Sequence, residues 1–221
     1  QQMGIKTNAG LKLYMESAIA SPVTITAISK AAAGVFSASG HTFVNGDTVL
    51  LEVQGMVEVH GLLASIVGVV ASTSFQVAGI DGVTGLDTTL YSTFSSGTAK
   101  KVTLGTSIVG VQDFIFSGGE IKTADSTTVN DLVDTQIVVG ATAQAADMVM
   151  QWDPAAAGQV AMLNAFKVRA NKGFKVVWPD GANVKWYGTV GYTGAPGGGK
   201  QAITTSPAKI TMLGGLNVQS A

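Results

Sequence analysis

The chain contains no cysteine, which excludes disulfide frameworks, thiolate metal sites and cysteine nucleophiles. Histidine is almost as scarce. His41 and His60 are the only imidazoles, and neither belongs to an HxxxH or HExxH pair of the spacing that zinc requires. Both are expected in glycine-flanked turns. Charge is also in short supply, at 12% of 221 residues against about 25% in ordinary soluble domains. The net charge is -1 and no run of five like charges occurs, so nothing supports duplex binding by phosphate neutralisation. A membrane-length apolar helix is missing too. Residues 59 to 80 carry no Asp, Glu, Lys or Arg, but the apolar run from Leu62 to Val70 is about half the roughly 20 residues a span needs. Its β-branched content fits a buried strand. No basic segment followed by an apolar one opens the chain, so no signal peptide is expected.

Apolar residues make up 46% of the chain and glycine supplies 28 positions. Short runs of Val, Ile, Thr and Ser are separated by Gly, Asn-Gly and Asp-Gly, the pattern of a mainly β chain with little helix. So apolar a surface with so few charges implies that part of it is covered. The fold class expected is mainly β (α+β): an antiparallel sandwich or barrel scaffold with one short α-helix and an inserted small all-β domain. Residues 23 to 28, 48 to 53, 62 to 70 and 74 to 77 are predicted strands, with turns at Asn45-Gly46-Asp47 and Asp81-Gly82. They place a small barrel or sandwich at 21–102. The flanking runs at 11–16 and 111–121 read as two strands of one larger sheet, so the scaffold is discontinuous, 1–20 plus 103–221.

The polar stretch from Lys122 to Asp131 is too rich in turn residues for a central strand, and predicts a long exposed loop or extended hairpin. Strands follow at 136–139 and 147–152. A helix is predicted next, with Asp153 as N-cap, Pro154 at the first helical position, and Val160, Leu163 and Phe166, with Met162, as its buried face. The remaining predicted strands are 174–178, 184–190 and 210–213. Charge divides along this half of the chain. From 103 to 153 seven acidic side chains oppose one base, Lys122; from 154 to 221 seven basic side chains oppose one acid, Asp180. Folding either mixes these charges or leaves opposite faces of opposite sign, which would favour head-to-tail stacking.

Catalytic signatures fail on inspection. Gly194-Ala195-Pro196-Gly197-Gly198-Gly199-Lys200 matches a phosphate-cradling loop, but Gln201 stands where a magnesium-binding Ser or Thr is needed and no helix follows. Glu52 and Glu58, each between apolar neighbours, are expected to be outward positions of strands rather than a glycosidase pair. Trp152, Trp178 and Trp186 sit in apolar runs and are assigned to core or interface rather than to a sugar platform. No positioned nucleophile or acid-base set is visible, and no cofactor or metal is expected.

Three segments carry a resemblance: Gly110-Val111-Gln112-Asp113-Phe114-Ile115-Phe116, the stretch from Met148 through Asp153-Pro154-Ala155-Ala156-Ala157-Gly158-Gln159-Val160, and Phe174-Lys175-Val176-Val177-Trp178-Pro179-Asp180-Gly181. With Gly10 to Glu16 they resemble the major tail tube proteins of long-tailed, siphovirus-type bacteriophages. Residues 41 to 61 are similar to a small β module that recurs in phage tail and fibre proteins. The resemblance implies a non-enzymatic virion protein, assembled in the host cytoplasm into stacked hexameric rings around a lumen for DNA. It implies a tape-measure protein and tail-end proteins as partners, passage of DNA without specific binding, and no membrane insertion. It also implies that the loop bearing Lys122, Asp125, Thr127, Asn130, Asp131 and Asp134 contacts the adjacent ring. The alternatives from other classes are a secretion-system tube and a carbohydrate-binding adhesion module.

Overall fold

The computed structural model describes residues 9–128 and 132–220. The first half of the chain supplies nine strands, β1 (Lys12–Met15), β2 (Ala18–Ile19), β3 (Val23–Ile25), β4 (Ala27–Ile28), β5 (Val35–Ser37), β6 (Thr48–Gln54), β7 (Leu63–Val70), β8 (Ser74–Val77) and β9 (Ser96–Thr103). Next come β10 (Thr106–Ile108), β11 (Val111–Ser117), β12 (Ile121–Asp125), β13 (Gln136–Ala141) and β14 (Ala145–Gln151). A single α-helix among the described residues, α1 (Ala157–Lys167), precedes β15 (Asn171–Val177), β16 (Asn183–Gly191), β17 (Thr205–Met212) and β18 (Asn217–Gln219). The fold is mainly β, and every strand pairing within its sheets is antiparallel.

The first sheet runs β10-β1-β15-β16-β17-β14-β11, with β18 sharing the far side of β16. The second runs β2-β9-β6-β7-β8-β5-β4, with β3 also on β9, and its strands are consecutive in the chain between β1 and β10. Neither sheet closes into a barrel. Period-two alternation explains which side of each strand is buried. In β17, Ser206, Ala208, Ile210 and Met212 point inward while the intervening residues face out. In β14 the inward set is Ala146, Met148 and Met150, and the core is completed by Leu13, Phe174, Trp186 and the helix residues Met162 and Ala165. A separate core inside the second sheet is built on Phe36, Leu51, Ile66 and Phe75.

The two sheets meet on the outer face of the first. Trp186 of β16 points toward the helix, so its neighbour Tyr187 points the other way, onto Leu50, Leu63 and Val102 of the second sheet. Gly173 leaves room for that contact, since a Cβ there would lie 3.0 Å from Leu63. At the seam, a Cβ on Gly214 would fall 2.3 Å from the Gly61 carbonyl oxygen, so the two backbones touch and a side chain has no space. Beside it, the buried Glu16 carboxylate accepts from Lys172 Nζ at 2.9 Å and the Gly173 amide at 3.1 Å.

The helix departs from expectation. It begins at Ala157, not at Pro154, and its N-cap Ala156 makes no side-chain cap bond. Asp153 is used one turn earlier: its carboxylate accepts from the Ala155 amide at 2.9 Å and its carbonyl from the Ala156 amide, forming a tight turn around Pro154. The buried positions are Gly158, Gln159, Met162 and Ala165. Leu163 is half-buried against the core, but Val160 and Phe166 are 40% and 37% exposed. The face turned because Gly158 allows close approach to β10, where a Cβ would meet Ser107 O at 2.5 Å. Gln159 then reaches back to accept from the Asp153 amide and Tyr192 hydroxyl and to donate to Gln151 O. Phe166→Ala is accordingly expected to cost less than about 1.5 kcal/mol, whereas Met162→Ala should cost about 2 to 5 kcal/mol. Urea denaturation of the two variants measures both; a larger loss at Phe166 would contradict this packing.

Candidate assembly surfaces

The strands β12 and β13 pair as an extended hairpin that stands apart from both sheets. Its base is tied where the Thr142 amide donates to Glu120 O and the Glu120 amide donates to Thr142 Oγ1. A register shift between Lys122 and Thr123 lies opposite Gly140. Every residue of β13 is exposed. Ile137 and Val138, the latter 68% exposed, are adjacent and so point to opposite faces, leaving apolar side chains bare on both sides. Val139, Ile121, Leu132 and Val133 add to this surface. An isolated two-stranded hairpin is marginal in water without a third partner, and among the described residues nothing covers this one.

Several residues expected in a contact loop do lie on this hairpin. Lys122 and Asp125 are on β12, Thr127 follows it and Asp134 precedes β13; Asn130 and Asp131 lie outside the described residues. Asp125 accepts from the Thr127 amide at 2.8 Å, and bonds from the Thr127 side chain and amide hold its carboxyl below the usual range. Thr127 Oγ1 also accepts from the Thr135 amide at 3.0 Å. These bonds shape the approach to the tip and consume none of the apolar surface.

The first sheet ends in two strands that are paired on one side only, β10 and β11. Beside β11 its outer face forms a trough of about 370 Å³ lined by Asp113, Ile115, Val149, Pro207 and Lys209. Here the acidic and basic halves of the chain interleave: Lys209 Nζ lies 3.5 Å from Asp147 on the neighbouring strand. The charge division along the sequence is thus mixed within this sheet.

The other singled-out residues have structural partners. His41 is a core residue and not a turn residue, stacked on Phe43 at 5.1 Å between ring centroids and edge-on to Phe75. His60 Nδ1 meets the backbone of Val53. Glu52 pairs with Lys100 at 2.7 Å. Glu58 sits in a 3-10 turn, Val57–Val59, rather than a strand, and accepts from Ser92. The glycine-rich segment before Gln201 bridges Gly197 to Thr205 and runs into β17. No cluster of three His, Asp or Glu that could hold a metal occurs among the described residues, and none of their helices is long and apolar enough to cross a membrane.

Sequence reasoning missed Lys185, an outer-face residue of β16 that is almost wholly buried. Its ammonium donates to Asn183 Oδ1 and to Gln219 Oε1 at 2.8 Å, with no carboxylate partner among the described residues. Burial, and secondarily the charge of Lys175, lowers its pKa to about 7. The unfolded value is near 10.4, so above about pH 7 the unfolded chain holds the extra proton and stability rises with pH. Between about pH 7 and about pH 9 urea denaturation should show stability climbing by up to about 1.4 kcal/mol per unit, and Lys185→Met should remove that climb. An unchanged pH slope in the variant would exclude Lys185 as its source.

A family model described as phage tail tube protein, TTP, matches residues 62–221. The match begins within the second sheet, just before β7, and continues through the hairpin, the helix and β18. No curated protein matches the chain. The matched model describes a structural component of the phage tail. This chain belongs to the phage tail tube protein family.

Proposed function

We propose that copies of this chain form hexameric rings which stack into the tail tube of a siphovirus-type phage, and that DNA passes along the lumen during ejection. The observation that carries the reading is the β12–β13 hairpin, apolar on both faces and bare in the single chain. Such a segment needs a covering partner, and a repeating assembly of identical chains supplies one at every position. The edges of β10 and β11 add unpaired N-H and C=O groups, which a neighbour's strand satisfies in a ring.

In this reading residues 1–20 and 103–221 form the tube scaffold, and 21–102 is an inserted domain projecting away from the channel. Support comes from the second sheet, which encloses its own core and lies within 21–102 except for β2 (Ala18–Ile19) and the last residue of β9, Thr103. Lys122, Asp125, Thr127 and Asp134 would face the adjacent ring. A tape-measure protein and tail-end proteins complete the partners, and the low content of basic residues lets DNA move without being held. Negative-stain microscopy of the concentrated, purified protein tests the proposal. Rings or tubes are expected; a dispersed monomer under all conditions overturns it.

A further inference from the structure

The seam between the second sheet and the C-terminal strand holds a groove of about 280 Å³. Leu62, Ile80, Leu86 and Tyr91 line one side, Leu216 and Val218 the other. Its walls are fixed to each other, since Asn217 Nδ2 donates to Ala78 O at 3.3 Å and the Ser220 amide donates to Ile80 O at 2.7 Å. Ile80 is 73% exposed at the rim, so the apolar lining continues onto the surface. The mouth is acidic. Glu58 lines it, Asp81 lies beside Gly79 of the lining and Asp87 adjoins Leu86. None of the three forms an ion pair among the described residues; each takes hydrogen bonds from its own loop or from Ser92. Lys30 is the cation facing Glu58.

An apolar and basic element of matching character sits at the end of α1. Val168 is 74% exposed, Phe166 is partly exposed, and Lys167 and Arg169 alternate with them. Neither cation has a carboxylate partner among the described residues. The turn is preset: Arg169 holds a left-handed φ of 53°, and the Ala170 amide donates to Ala165 O at 2.8 Å. This element cannot reach the groove of its own chain. The helix packs on the Trp186 face of the first sheet, while the second sheet docks on the opposite, Tyr187 face.

We infer that the helix-end turn Phe166–Arg169 of one copy docks in the Ile80–Tyr91–Val218 groove of the next, Lys167 and Arg169 meeting the carboxylates at its mouth. The two patches are different, so the contact is heterologous and repeats from copy to copy. The bare hairpin is a poorer occupant, because Glu120, Asp125 and Asp134 outnumber Lys122 and would be repelled there. Lys200 is an exposed cation too, but its neighbours Gly197, Gly198 and Gly199 offer no apolar side chain to fill the groove. The inference rests on the self-assembly proposed above and names one of its contacts.

The absence of cysteine gives a direct test. Ile80→Cys and Val168→Cys are prepared as separate proteins, mixed, assembled and mildly oxidised, with the same sample viewed by negative stain. A disulfide-linked dimer is expected from the mixture, about tenfold above a control that pairs Val168→Cys with Val70→Cys at the far end of β7. Joint reversal of Lys167 and Arg169 to Asp should weaken assembly by about tenfold, and adding Asp81→Lys and Asp87→Lys to the same chain should restore it. Rings or tubes with no excess linkage would overturn this contact and leave the tube reading standing. Absence of any assembled particle from the unsubstituted chain would overturn the tube reading, and this contact with it.

Discussion

Alanine at position 186 is expected to cost about 3 to 5 kcal/mol of folding stability, a large share of the roughly 5 to 15 kcal/mol typical of a native protein. Trp186 is fully buried on β16, a strand flanked on both sides within the first sheet. Its ring stacks on Phe174 at 5.7 Å and takes Phe116 edge-on at 5.2 Å, with Phe114 at 5.9 Å. Truncation leaves a void bounded by three rigid aromatic rings, which cannot all move in to fill it. The indole N-H has no hydrogen-bond partner among the described residues, so the expected loss is one of packing and aromatic contact. Trp186→Phe should therefore retain most of the stability. Urea denaturation followed by far-UV circular dichroism measures both variants, and a loss below about 1 kcal/mol for the alanine would remove Trp186 from the centre of the core.

Strands whose apolar residues alternate were legible before the fold was known. Residues 48–53, 74–77, 174–178 and 184–190 read directly as β because each buries apolar side chains at alternate positions, such as Val49, Leu51 and Val53. Two strands were obscured by their composition. In β9, Ser96, Gly97, Lys100 and Lys101 are poor β formers, yet the strand is central, between β6 on one side and β2 and β3 on the other; Ala99 and Val102 supply its buried points. β17 begins well before Ile210 because Pro207 lies where the strand has β14 on one side and has run past the end of β16, so its missing N-H breaks no ladder. Helix orientation was illegible for a different reason. Periodicity gave Val160, Leu163 and Phe166 one face, but the close approach of Gly158 to β10 and the polar reach of Gln159 turned another face inward. Such contacts join residues distant in sequence, which a local pattern cannot contain. The hairpin was legible as exposed polar backbone, but not the bare Ile137, Val138 and Val139, because an apolar run reads as buried until its surroundings are known.

Excising residues 121–141 and joining Glu120 to Thr142 through an Asn-Gly turn should abolish long assemblies while leaving the folded chain nearly as stable as before. The joint is short in space, since Glu120 and Thr142 already exchange hydrogen bonds at the hairpin base. None of the three hydrophobic clusters includes a residue of β12 or β13, so their removal opens no cavity. Folding stability is expected to change by no more than about 0.5 kcal/mol, the range of a surface alteration away from packed features. Assembly is expected to respond differently, because Ile121, Ile137, Val138 and Val139 are apolar area that nothing among the described residues removes from water. At about 25 cal/mol per Å² of buried apolar surface, losing this contact from every subunit of the proposed tube would remove a driving force that compounds along its length. Denaturation and negative-stain microscopy on the same preparation separate the two effects. Tubes as long as those of the full chain would show that the hairpin is spectator surface, whereas a stable, folded protein that stays dispersed would place it in the contacts that hold copies together.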